Sequence, residues 1–111
     1  MKLDLSTYRI SLVICPVDMR RGFHSLSALA LSLLNVDVGL GRDCVVFVSS
    51  RRTVCKVIWA DAHGAAMLTR SLRQGRFSQL LDQSLLTHEI ALNELMKFLD
   101  GGDIWRREKL K

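Results

Sequence analysis

Two segments of this chain place apolar runs beside pairs of arginines, and they constrain the fold more than any other feature. The first is PVDMRRGFHSLSAL, residues 16–29, and it follows YRISLVIC, residues 8–15, which is rich in β-branched side chains and stops at Pro16, the one proline of the chain. β-branched residues favour strands, and proline ends a strand because it has no N–H to donate to the sheet. The sequence therefore predicts a strand that ends at Pro16.

The residues after Pro16 predict a helix. Asp18 is placed to cap it, because a carboxylate accepts hydrogen bonds from the free N–H groups of a first helical turn. We expect the helix to run from Met19 to about Leu34, with Arg20 and Arg21 on its polar side, since apolar residues recur there at spacings of three and four. That apolar stripe comprises Met19, Phe23, Leu26, Leu29, Ala30 and Leu33.

The second segment, VVFVSSRRTVCKVIWADAHG, predicts a β-hairpin with a basic tip. It follows a glycine-containing stretch, residues 35–43, that is typical of a loop. Residues 44–49 and 53–60 are strand-like runs, and residues 50–52, Ser-Arg-Arg, join them. The sequence thus predicts two antiparallel strands with paired arginines at their turn.

A third strand continues this hairpin into a β-meander. Residues 61–64 predict a turn, residues 65–72 a strand, and residues 74–76, Gln-Gly-Arg, a second turn. With the strand at residues 8–15, we expect a small, mostly antiparallel sheet of four strands.

The last third of the chain predicts a second helix. Residues 77–86 are leucine-rich without clear periodicity, and Thr87 is placed to cap a helix over about residues 88–99 that the glycine pair 101–102 ends. Its apolar stripe comprises Ala91, Leu92, Leu95, Met96 and Leu99. The expected fold is a single α+β domain over residues 1–111, in the order strand, helix, β-meander, C-terminal helix.

The net charge of +5 is distributed unevenly. Residues 1–80 carry eleven basic against five acidic side chains, residues 81–103 one against five, and residues 104–111 four against one. A basic body with an acidic helix and a basic tail indicates an anionic partner. Arginine predominates among the basic residues, and its planar guanidinium suits phosphate. The alternative is that the arginines only keep a small hydrophobic domain in solution.

If the basic groups share one surface, that surface would contact several DNA phosphates. Aromatic residues make up only 6% of the chain, so a platform for stacking single-stranded bases is not indicated. The candidate nucleic-acid-binding residues are Arg20, Arg21, Arg51, Arg52, Lys56, Arg70, Arg73 and Arg76.

Motifs for catalysis, cofactors or metals are weak in this sequence. Cys15, Cys44 and Cys55 stand in apolar runs, as buried thiols do, and no close Cys or His pair suggests zinc. Asp18 and Asp61 are the two carboxylates placed as metal ligands or general bases, although both are also ordinary cap and turn positions. We expect no catalytic residue, metal or cofactor, and keep a metal-dependent nuclease using this pair as an alternative.

The sequence also indicates a cytoplasmic protein. Its longest apolar run, residues 26–34, is far shorter than the roughly 20 residues that span a bilayer. The first ten residues contain no apolar core of a secretory signal.

Four ordered motifs resemble those of one family. VDMRRGFHSL is similar to the TDMRKGFDGL-type motif of the accessory proteins called TnpB, or Orf2-like, from the insertion-sequence-sixty-six family of bacterial transposable elements. The hairpin segment, TRSLRQGRF and ALNELMKFLDGGDIW resemble the family's later motifs, so that the resemblance covers residues 10–105. The chain departs from the pattern at Val17, at His24 and in lacking a Trp-Pro pair soon after Phe77.

The resemblance implies a non-catalytic accessory protein of transposition that assists a separately encoded transposase. DNA, that transposase and a second copy of the chain are the expected partners, and a membrane is not. The alternative is a module that contacts the transposase or itself without touching DNA. Family-motif positions are Asp18, Met19, Arg20, Arg21, Gly22, Phe23, Arg51, Arg52, Lys56, Trp59, Asp61, Gly64, Arg70, Leu72, Gly75, Arg76 and Phe77.

Overall fold

The α+β class predicted from the sequence is confirmed in a computed structural model that describes residues 4–78 and 86–104. In chain order the elements are β1 (Arg9–Val13), α1 (Phe23–Leu34), a 3-10 turn (Val38–Leu40), β2 (Asp43–Val48), β3 (Val54–Asp61), β4 (Gly64–Ser71), β5 (Thr87–Ile90) and α2 (Leu92–Leu99). Neither helix is long and apolar enough to cross a membrane.

The five strands form one sheet in the order β4-β3-β2-β1-β5. The β1–β2 pair is parallel, with Ile10 opposite Cys44, and every other pair is antiparallel. A parallel pair needs a crossover, and α1 is that connection. The predicted hairpin and meander are confirmed as β2, β3 and β4.

The side chains of β2 show how the sheet divides the core. All six of its residues are buried. Cys44, Val46 and Val48 pack in the cluster that contains Leu95 and Phe98 of α2, whereas alternate residues pack in the cluster that contains Leu26 and Ala30 of α1. Because successive strand residues point to opposite faces, α1 and α2 cover opposite sides of the sheet.

The first helix begins four residues later than the sequence predicts. Gly22 is its N-cap residue, not Asp18. The Asp18 carboxylate instead accepts the N–H of Arg20 at 2.9 Å, and the N–H of Arg21 donates to the Asp18 carbonyl at 3.3 Å. The aspartate therefore closes a turn before the helix, while the predicted end of the helix at Leu34 is confirmed.

The predicted cap at Thr87 and helix start at His88 are wrong, because residues 87–90 form β5 instead. This strand pairs antiparallel with β1, and the Thr87 hydroxyl donates to the Leu12 carbonyl at 2.9 Å. His88 and Ile90 are buried and Glu89 between them is exposed, which is the two-residue period of a strand. Pairing with β1 satisfies backbone groups that would otherwise lie at a sheet edge.

The second helix consequently starts at Leu92. Ala91 is its N-cap residue, and the Glu94 carboxylate accepts the Ala91 N–H at 2.8 Å. The predicted apolar stripe is partly wrong: Met96 is 41% exposed, and Phe98, which the prediction omitted, is buried beside Leu95 and Leu99. The predicted end of the helix at the glycine pair is confirmed.

Candidate nucleic-acid interface

Strands β1, β2 and β4 finish at one end of the sheet, and β3 and β5 begin there. Three loops meet at this end, since the N–H of Val17 donates to Val48 O at 3.0 Å, that of Leu72 to Thr53 O at 2.9 Å, and that of Phe77 to Arg52 O at 2.7 Å. We name this part, residues 15–22, 49–53 and 71–78, the hairpin end. The opposite part, which includes residues 9, 35–43 and 61–64, is the far end.

Of the five exposed arginines of the hairpin end, three have guanidinium groups that no other described residue binds. Arg51 lies in the β2–β3 loop, and Arg73 and Arg76 lie in the segment after β4. No hydrogen bond or ion pair with another described residue holds the guanidinium of any of the three. Their donors therefore face solvent and are available to a ligand.

Arg52 differs from its neighbour Arg51 because its side chain turns inward. Its backbone has a left-handed φ of 60°, and its guanidinium Nη1 donates to the Ser78 carbonyl at 2.8 Å. Burial lowers the pKa of Arg52 from its ordinary value. Together with the bond from Phe77 to its carbonyl, this contact ties the β2–β3 loop to the segment after β4.

Arg20 is exposed, but an acidic partner occupies it. Its Nη2 lies 2.7 Å from Asp18 Oδ2, and its Nε also donates to the same carboxylate. The hydrogen bonds from Arg20 lower the pKa of Asp18 to about 2. The pair is close to neutral as a unit, so Arg20 adds little to the positive charge of the hairpin end.

The remaining candidate cations lie on both faces of the sheet. Lys56 is on the α1 face, where its Nζ donates to the Arg21 carbonyl at 2.8 Å, and Arg21 Nη1 donates to Ser25 Oγ at 2.6 Å. Arg70 is on the α2 face, 3.7 Å from the Asp100 carboxylate. Six of the eight predicted residues thus lie in the hairpin end, and Lys56 and Arg70 lie in the adjoining parts of β3 and β4, on opposite faces of the sheet.

Two further features add positive charge near this end: the start of α1, which the sequence prediction included, and Lys97, which it did not. The first turn of α1 has no side-chain cap and no acidic residue, so its free N–H groups add partial positive charge. Lys97, which the sequence assigned to an acidic segment, lies in the last turn of α2, three residues before Asp100, whose carboxylate lies 3.7 Å from Arg70.

The two carboxylates of the nuclease alternative lie at opposite ends of the sheet. Asp61 ends β3 at the far end, where its Oδ1 accepts the N–H groups of His63 and Gly64 at 2.8 and 3.2 Å. The length of β3 separates it from Asp18 by about 20 Å. Within residues 4–78 and 86–104 no group of three His, Cys, Asp or Glu residues could hold a metal ion. This separation removes the geometric basis of a shared metal site.

The far end has a different electrostatic character. Arg9 Nε donates to Asp43 Oδ1 at 3.0 Å, and Arg42 is exposed close by. An open depression of about 650 Å³ lies there, with Asp37 and Asp43 among its lining residues. Its lining contains two acidic side chains and two basic ones, Arg9 and Arg42, so this end lacks the predominantly positive charge of the hairpin end.

Most other motif residues support the fold. Trp59 and Leu72 pack against the core on the α2 side, and Met19 and Phe23 pack against the core on the α1 side. Phe77 is fully buried. The turn glycines Gly64 and Gly75 have φ values of 137° and 74°, which side-chain-bearing residues rarely adopt.

Comparison with known proteins gives the family. Residues 8–109 match the model of the family described as "IS66 Orf2 like protein". The chain is also 37% identical over 60 residues, 54% of its length, to "Uncharacterized protein y4hO" of Sinorhizobium fredii, and the match spans about half (51%) of that relative. No solved structure matches the chain. The family match extends over nearly all of the sequence and confirms the resemblance seen in the motifs; the chain belongs to the IS66 Orf2-like family of transposition-associated accessory proteins.

Proposed function

We propose that this protein is a non-catalytic accessory factor that binds duplex DNA through its hairpin end and assists a separately encoded transposase. One observation carries the proposal. Arg51, Arg73 and Arg76 are exposed at the same end of the sheet, and no described residue engages their side chains. Guanidinium groups match phosphate oxygens in geometry, and neutralising several phosphates releases counterions.

The loops that carry these arginines are fixed to each other. The bonds from Phe77 to Arg52 and from Arg52 to Ser78 join the β2–β3 loop to the segment after β4. A ligand therefore meets loops whose backbone is already in place, which reduces the entropy lost on binding. Duplex DNA suits this surface better than single strands, because Phe23, Trp59 and Phe77 pack in or against the core and offer no stacking platform.

The test is binding of labelled duplex DNA, measured by fluorescence anisotropy over a salt series. We expect Arg51→Ala, Arg73→Ala and Arg76→Ala each to weaken binding and to lower the slope of log K against log salt by about one. Arg42→Ala is the matched control, because it removes one exposed arginine at the far end. The Asp18→Ala/Arg20→Ala double variant should have a smaller effect than these three, since it removes a pair that is already neutral.

Two results would contradict the proposal. If Arg42→Ala weakened binding as much as the hairpin-end variants do, the interaction would depend only on net charge. Absence of binding at low salt would assign the arginines to an acidic protein surface, and co-purification of the transposase with wild type but not with the three variants would then identify that partner.

A further inference from the structure

The outer edge of the sheet at β4 has no partner among the described residues. β4 is the outermost strand, and its eight residues pair with β3 on one side only. Most of the strand is exposed, and Met67 retains 39% exposure although it is a large apolar residue. The edge is therefore available to another strand.

The backbone groups that point outward can be identified from the register. Leu72 stands opposite Thr53 one step beyond the last pair of the ladder, and its N–H donates to Thr53 O. Because bonding residues alternate along an antiparallel strand, the even-numbered residues of β4 bond to β3. The N–H and C=O groups of Ala65, Met67 and Thr69 consequently face away from the sheet.

The sequence of β4 gives this edge little protection. The strand reads GAAMLTRS and contains no lysine, proline or acidic residue, which are the usual means of preventing edge pairing. Its single charge, Arg70, lies on the α2 face beside Asp100. The opposite edge, β5, is half as long and carries Glu89. Of the two edges of the sheet, the one formed by β4 is better suited to the addition of another strand.

We propose that β4 pairs antiparallel with β4 of a second copy of this chain, around a two-fold axis at Met67. In this register Ala65 faces Thr69 of the second copy, and Ala66 faces Leu68, so that small residues meet larger ones. Arg70 faces Gly64, which keeps the two arginines apart. The two exposed Met67 side chains contact each other and become buried.

The second copy is favoured over another partner because the strand complements itself. Antiparallel pairing places the outward N–H and C=O groups of Ala65, Met67 and Thr69 opposite Thr69, Met67 and Ala65 of the second copy, and the register has no like-charge contact. One strand pair lies at the low end of stable interface sizes, so we expect a dissociation constant of about 1–100 µM. The dimer does not depend on DNA binding.

The test is sedimentation velocity of the full chain over protein concentrations from about 1 to about 300 µM, without DNA. We expect wild type to shift from monomer to dimer, and Met67→Lys to remain monomeric because two lysines would face each other at the axis. Met96→Lys is the matched control, since Met96 is a methionine of similar exposure on α2, 41% against 39%. It should dimerise as wild type does.

A cysteine variant tests the register without relying on a disruptive substitution. Bonded antiparallel pairs have Cα atoms about 5.5 Å apart, within the range of a disulfide. Mild oxidation should therefore crosslink Met67→Cys into dimers on a non-reducing gel, beyond the level of wild type and of Met96→Cys. A wild type that stays monomeric, a Met67→Lys variant that dimerises normally, or equal crosslinking of the two cysteine variants would each overturn the proposal.

Discussion

Adjacent arginines in this chain have different structural roles. Arg51 is exposed, whereas Arg52 has a left-handed backbone and donates to Ser78 O at 2.8 Å. The sequence predicted both as parts of one basic tip, because the contact that distinguishes them joins residues 26 positions apart. A short-range pattern contains no information about such a contact. The positions of Arg51, Arg73 and Arg76, by contrast, could be predicted from turn residues.

This difference gives a prediction for stability. Arg52→Ala should lower the free energy of unfolding by about 1.5–3 kcal/mol, since it removes a half-buried charged hydrogen bond and leaves Ser78 O without that donor. Arg51→Ala is the control and should change the free energy by less than about 0.5 kcal/mol. Urea denaturation of both variants measures the two values. Equal values would show that the Arg52 contact does not stabilise the fold.

Burial controls the chemistry of two cysteines. Cys44 and Cys55 are fully buried, and burial raises the pKa of each thiol to about 12. A thiol must ionise to react with an alkylating reagent. At pH 8 we therefore expect iodoacetamide to modify only the half-buried Cys15 in the folded protein and all three cysteines in urea, as counted by mass spectrometry.

The same shifts predict how stability depends on alkaline pH. In the unfolded chain these thiols ionise near the ordinary value of 9.0, whereas in the folded protein they remain protonated up to about 12. Their contribution is fully present below pH 9 and is lost as the pH rises toward 12. The Cys44→Ala/Cys55→Ala variant should lose less stability over this pH range than wild type. If the free energy of unfolding declined equally in the variant and in wild type, ionisation of these two thiols would not be the cause of the alkaline loss of stability.

At the scale of secondary structure, the sequence predicted what repeats locally and missed what depends on distant partners. β1 to β4 follow from β-branched runs and turn residues, and α1 ends where its apolar spacing ends. β5 was predicted as helix because THEI is too short to show a period. It becomes a strand by pairing with β1, more than 70 residues earlier in the chain. The start of α1 was predicted wrongly because Asp18 does not cap the helix. Its carboxylate accepts hydrogen bonds from Arg20 and closes a turn that precedes the helix.

The packing of α2 on the sheet gives a prediction for a pair of residues. Phe77 and Phe98 are fully buried, and their rings stack with centroids 4.9 Å apart. Each single change to leucine should destabilise the fold. We expect a double-mutant cycle of Phe77→Leu and Phe98→Leu to give a coupling of about 0.5–1.5 kcal/mol by urea denaturation. Additive effects would indicate that α2 is not anchored by this stack.

At the scale of the whole molecule, the sheet order brings together basic residues that are distant in sequence. Arg21 follows β1, Arg51 follows β2 and Arg76 follows β4. All three strands end at the hairpin end. The sequence predicted the basic groups but not their common end, because strand order is decided by long-range pairing. It also could not show that Asp18 and Asp61 lie at opposite ends.

NMR can map the proposed DNA contact directly on the folded protein. A short duplex is titrated into ¹⁵N-labelled protein, and the shifts of backbone amide signals are followed. We expect the largest changes in residues 50–53 and 72–77, and little change in residues 37–42 and 61–64 at the far end. Shifts centred on the far end, or no shifts at low salt, would contradict the claim that the hairpin end binds DNA.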